Sequence, residues 1–180
     1  MNALPPRLAR TRNSKRRGKS CGFTLLEMAI VIAITGILLA VAIPSYQHML
    51  QRRQLRQVAE LLALDLRHAR ELSVSENSAI FINYNAGKQW CWGLSRAKPC
   101  DCAGTSPQGR CELSHMDNTH YPHVLLDAAQ DAAFSPGLGQ VAQSGAAALR
   151  TEAGQNLRVV LNPMGRTHIC GPDAVGALRC

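Results

Sequence analysis

Residues 23–43 read FTLLEMAIVIAITGILLAVAI, an apolar run broken by one charge, Glu27. As a helix this run is about 31 Å long, close to the hydrocarbon thickness of a bilayer, so it is long enough to cross a membrane once. A secretory signal would also offer basic residues, an apolar stretch and a small-x-small site, here Ala40-Val41-Ala42. The length of the run and the position of Glu27 argue against that reading. A carboxylate inside a membrane helix costs on the order of 2.5 to 3.5 kcal/mol on insertion scales, so a lone one marks a function and needs a partner, unless it sits at the solvated interface.

The net charge of +8 is a local matter. Arg7, Arg10, Arg12, Lys15, Arg16, Arg17 and Lys19 precede the apolar run with no acidic partner, and subtracting those seven leaves +1 for the rest. Global basicity is therefore no argument for nucleic acid. Basic clusters beside an apolar span stay cytoplasmic, which predicts an inner-membrane, single-pass chain with a periplasmic C-terminal domain. Residues 1–22 are expected to be a processed leader outside the fold.

The junction Gly22-Phe23-Thr24-Leu25-Leu26-Glu27 resembles the recognition motif of type IV pilins and type II secretion pseudopilins. The resemblance implies that a prepilin peptidase cuts after Gly22 and that Phe23 becomes the N-methylated first residue. It also implies that Glu27 contacts the terminal amine of an adjacent subunit during assembly, with other pilins or minor pilins as partners in a pilus or pseudopilus. The charges suit that role, because a freed Phe23 amine lies four residues from Glu27. Gly36 and Pro44 resemble the family's helix-weakening positions. Both are poor helix formers, at about 1 and 3 kcal/mol, which predicts a kink or local melting between them.

Past Pro44 the apolar residues Leu55, Val58, Leu62, Leu66, Ala69 and Leu72 recur at steps of three and four, the signature of a helix with one buried stripe. One helical segment over residues 23–76 is expected, half anchor and half amphipathic. Arg53, Glu60 and Arg67 fall on its solvated face, with Arg56–Glu60 and Arg67–Glu71 spaced for opposite-charge pairs. After Asn77 the period shortens. Strands are predicted at 80–84, 89–94, 124–127, 132–134, 157–161 and 166–170, with Asn85-Ala86-Gly87-Lys88 turning the first two into a hairpin. The fold class is thus α+β and type IV pilin-like: a long N-terminal helix laid on a mainly antiparallel β-domain over 77–180, with disulfide-tethered loops.

Apart from Cys21, the cysteines fall late: Cys91, Cys100, Cys102, Cys111, Cys170 and Cys180. Six cysteines beyond a membrane span point to an oxidising compartment and up to three disulfides. Cys170 and Cys180 are expected to close a small loop, whereas Cys100 or Cys102 can pair with Cys91 or Cys111. Zinc competes as a reading, since His115, His120 and His123 follow the cysteines. With no C-x2-C pair and an oxidising setting, no metal is expected. No nucleophile–base pair, phosphate-cradling loop or Cys/His signature is present, so neither catalysis nor a cofactor is expected.

Arg158, Arg166, His168 and Arg179 gather near the C-terminus with only Asp173 opposing. Arginines on a stiffened loop suit phosphate contacts. The segment 158–170 is similar to the C-terminal signature of the FimT/GspH subfamily, a strand followed by Gly-Arg, a further basic residue and a cysteine. Phe134-Ser135-Pro136-Gly137 and the paired Trp90 and Trp92 are similar to that subfamily as well. The resemblance implies a minor pilin at or near a filament tip, with double-stranded DNA bound for natural transformation through Arg166 and His168. It equally fits a GspH-like pseudopilin with no DNA role. His168 stands where the DNA-binding pattern has a second arginine; with less fixed charge, weaker and more pH-dependent phosphate binding follows. The same arginines would also serve as a solvated edge or as a contact with another pilin.

Overall fold

The computed structural model describes residues 22–104 and 109–172, and the chain divides into two compact units, Met1–Val41 and Ala42–Cys180. One helix, α1 (Leu25–Ser75), contributes to both. Its start carries the Thr-x-x-Glu pattern of a capping box, of which the structure makes the threonine half. Thr24 Oγ1 accepts a hydrogen bond from the Glu27 backbone N–H at 3.2 Å, and the Thr24 carbonyl accepts from the Met28 N–H. Glu27 therefore sits in the first turn, where a carboxylate also opposes the positive end of the helix dipole.

In the first unit every described side chain is exposed. An apolar surface of that extent is unfavourable in water, and the helix is long and apolar enough to span a bilayer. Thr35 satisfies its hydroxyl by donating to the Val31 carbonyl at 2.7 Å. The expected local melting is not seen, since α1 stays helical through Gly36 and Pro44. The boundary between the units, Val41/Ala42, nevertheless falls between those two residues.

In the second unit, the buried positions of α1 are Leu55, Val58, Ala59, Leu62, Ala63, Leu66, Ala69 and Ser73, the stripe that the periodicity predicted, with Leu72 at its margin. The nine strands described are β1 (Ile80–Asn85), β2 (Cys91–Arg96), β3 (Ser114–Asp117), β4 (Val124–Ala129), β5 (Ala132–Phe134), β6 (Val141–Gln143), β7 (Ala146–Thr151), β8 (Asn156–Leu161) and β9 (Thr167–Cys170). They form two sheets rather than one, ordered β3-β2-β1-β5-β6 and β4-β7-β8-β9, and every pairing is antiparallel. Gly87, in the β1–β2 connection, donates its N–H to the Leu126 carbonyl and bridges the sheets.

Ile80, Ile82, Trp92, Leu94 and Phe134 of the first sheet and Leu126, Leu149, Leu157, Val159 and Leu161 of the second close over the helix stripe. The helix is also fixed by polar contacts. Trp92 Nε1 donates to Asp65 Oδ2 at 2.7 Å, and Ser114 Oγ donates to the same oxygen at 3.2 Å. Trp90 stacks on Trp92 with ring centres 5.1 Å apart and gives its own Nε1–H to the Val124 carbonyl. Both indoles are fully buried with their N–H groups satisfied, the condition for burying tryptophan without penalty.

Two disulfides stitch the loop between β2 and β3: Cys91–Cys102 and Cys100–Cys111, each spanning 11 residues, so the two closed loops overlap. A Cβ at residue 93 would stand 2.3 Å from Cys111 Sγ, so only glycine lets the second bridge lie against β2. Cys170 is also disulfide-bonded. Its expected partner Cys180 lies outside the described residues.

Candidate functional site

The turn from β8 to β9 is Asn162-Pro163-Met164-Gly165. Proline second and glycine fourth after an asparagine is a strong turn pattern. The Asn162 carbonyl accepts from the Gly165 N–H at 2.9 Å, and Asn162 Oδ1 accepts from the Arg166 N–H at 2.8 Å. Gly165 has φ +76°, a left-handed conformation that favours glycine. The strand expected from Arg166 begins one residue later, at Thr167, so Arg166 belongs to the turn.

This turn faces α1. Between them runs an open groove of about 420 Å³ lined by Arg67, Arg70 and Glu71 from the helix and by Gly165, Arg166, Thr167 and His168 from the turn and β9. Arg70 is held in place: its Nε donates to the Gly139 carbonyl at 3.2 Å. The loop carrying Gly139 is tied to the end of α1 by the Gly137 N–H, which donates to the Ser73 carbonyl. The groove therefore collects three arginines and a histidine against one carboxylate. Arg56 does pair with Glu60, at 2.8 Å. Arg67 and Glu71, spaced for a similar pair, form no ion pair among the described residues.

The C-terminal basic residues are thus only partly brought together. Arg166 and His168 line the groove. Arg158 stands on the same face of the second sheet as His168, opposite Cys170 where His168 is opposite Val160, one diagonal step along the ladder and outside the groove lining. Arg179 lies outside the described residues. The residues that sequence reasoning did not assign to this site are Arg67 and Arg70. The available signal was two arginines three apart, which share a helix face and repel. A larger cavity, about 490 Å³, lies beside the disulfides and is lined by Asp101, Cys102, Gly104, Arg110, Cys111 and His115. Its one acid and one arginine give it no comparable excess of charge.

Among the other charged contacts, Glu76 receives both Arg96 Nε at 2.6 Å and Arg96 Nη2 at 2.7 Å. This bidentate fork lowers the Glu76 pKa and ties the end of α1 to β2. Neither residue lines the groove. At the other end of α1, Gly22 and Phe23 are described as exposed residues just ahead of the helix, with Glu27 one turn inside it.

Comparison with known proteins gives the N-terminal half a context. Residues 17–43 match the prokaryotic N-terminal methylation motif. A fimbrial protein of Pseudomonas aeruginosa is 48% identical over 60 residues, covering 33% of this chain and 38% of that protein. A fimbrial protein of Dichelobacter nodosus is 30% identical over 115 residues, covering 64% of this chain and 60% of that one. The chain thus spans less than two thirds of the length of these curated relatives. Among solved structures, the type IV minor pilin FimU of Pseudomonas aeruginosa aligns with a TM-score of 0.48 at 17% identity, covering 66% of this chain and 93% of that one. In its methylation motif and in the segments it shares with fimbrial proteins, the chain is similar to type IV pilins.

Proposed function

We propose that the chain is a minor type IV pilin. In this reading prepilin peptidase removes residues 1–22, Phe23 is methylated, and α1 holds the subunit in the inner membrane until it enters a filament at or near the tip. The observation that carries it is the segment Gly22 to Glu27 within the methylation motif, with Glu27 in the first turn of an unburied apolar helix. In this reading Glu27 meets the terminal amine of a neighbouring subunit, an ion pair strengthened by the absence of water. Glu27→Ala should leave cleavage intact and deplete the protein from sheared filaments, as read by immunoblot. Normal incorporation of the variant would contradict the pairing role.

A second activity is supported by the groove beside Gly165 and Arg166: contact with the phosphates of double-stranded DNA. Three arginines around an open groove suit a polyanion. The full-length protein in detergent should retard duplex DNA at low salt and lose affinity as salt rises. Absence of binding at low salt, with normal filament incorporation, would leave the assembly role alone.

A further inference from the structure

Gly165 and Arg70 form a built unit. The N–H at Arg70 Nε is engaged by the Gly139 carbonyl, which fixes the plane of the guanidinium while its two terminal nitrogens make no hydrogen bond among the described residues. The backbone of the turn approaches close enough that a Cβ at 165 would meet the Gly139 carbonyl oxygen at 2.7 Å, Arg70 Nε at 2.9 Å and Arg70 Cδ at 3.1 Å. A glycine immediately before Arg166 is therefore needed to bring that arginine beside an arginine already oriented by the fold. Arg67, one helical turn away on the same face, has neither an ion pair nor a side-chain hydrogen bond among the described residues and lines the same groove.

We propose that α1 supplies the second wall of a phosphate-binding groove, in which Arg67 and Arg70 act together with Arg166 on the sugar–phosphate backbone of duplex DNA. This rests on the DNA reading above and adds to it two residues far away in sequence. Neighbouring positions on one helix face are about 5 to 6 Å apart, a spacing that lets Arg67 and Arg70 reach separate phosphates of one strand. Arg70 is preorganised, so little side-chain ordering is lost when it binds. Glu71 is the one opposing charge in the lining, and its removal should strengthen binding.

The test uses the full-length chain in detergent and a short fluorescent duplex, with anisotropy measured from about 50 to about 200 mM salt. Arg67→Ala and Arg70→Ala are each expected to weaken binding several-fold and to reduce the slope of log affinity against log salt by about 0.9. Arg56→Ala, which removes an arginine already paired with Glu60 on the same helix, should change neither. Glu71→Gln should tighten binding. Arg67→Ala breaks no bond within the described chain, so its effect is not a folding effect, and its unchanged melting temperature checks this. If Arg166→Ala weakens binding while Arg67→Ala and Arg70→Ala behave like Arg56→Ala, the two-walled groove is wrong and the DNA reading survives. If the wild-type chain does not bind at low salt, both fall. If the helix variants bind DNA normally but are lost from sheared filaments, the groove is a contact between subunits and the inference is overturned.

Discussion

A Cβ on Gly165 would stand 2.9 Å from Nε of Arg70, a residue 95 positions earlier in the chain. Gly165→Ala must therefore strain a φ of +76° and also displace either the Arg70 guanidinium or the loop at Gly139. A loss of about 1 to 3 kcal/mol in unfolding free energy is expected, measurable by chemical denaturation. If the second wall is real, Gly165→Ala combined with Arg70→Ala should weaken DNA binding by less than the sum of the two single effects.

Asp65 is the polar anchor between α1 and the first sheet. Asp65→Ala leaves the buried Trp92 N–H without its acceptor and also releases Ser114, for an expected loss of about 1 to 3 kcal/mol. Asp65→Asn keeps an acceptor oxygen and should lose less. The check is thermal unfolding followed by tryptophan fluorescence, which reports directly on the stacked pair Trp90 and Trp92.

The helix stripe could be read in advance because Leu55 to Ala69 repeats at the helical period and every repeat buries. The hairpin of β1 and β2 was legible too from its apolar runs and its turn, although β2 begins at Cys91, two residues later than the expected 89. Strand β7 was not, because Ala146-Ala147-Ala148-Leu149-Arg150-Thr151 is alanine-rich and has little intrinsic strand preference. Nor were β3 and β6, which run only four and three residues and are held by their neighbours across the sheet. The division into two sheets depends on distant pairings such as Ile82 with Ala132, which no local pattern encodes. The groove was half visible: Gly165 and Arg166 stand out, whereas Arg67 and Arg70 look like any solvated helix face until the turn is folded onto them.

The fork between Glu76 and Arg96 predicts a pH dependence. Hydrogen bonding to Arg96 lowers the Glu76 pKa below the usual 4.5, so the folded state binds that proton less readily than the unfolded state. The stabilisation is complete above the unfolded value and is lost as pH falls through the lower, folded one. Both partners are partly exposed, so the effect is small and screened by salt. Arg96→Gln should therefore have a slightly lower melting temperature at neutral pH and a shallower fall below about pH 4.5, where the two proteins converge. An unchanged fall would assign the acid sensitivity elsewhere.

The disulfide connectivity predicts a specific peptide map. Non-reducing digestion should yield Cys91 linked to Cys102 and Cys100 linked to Cys111, and no link from Cys91 to Cys111. Replacing Cys100 and Cys111 together by serine should cost about 2 to 4 kcal/mol, and less than the sum if the overlapping Cys91–Cys102 bridge already restrains the same loop.

The central claim, that this chain is processed and assembled as a pilin, is tested most directly by the mass of its N-terminal peptide in protein recovered from cells. A peptide beginning at Phe23 and carrying one methyl group on its amine is the predicted result. A chain that keeps residues 1–22, or one cut after Ala42 at the signal-like site, would contradict it.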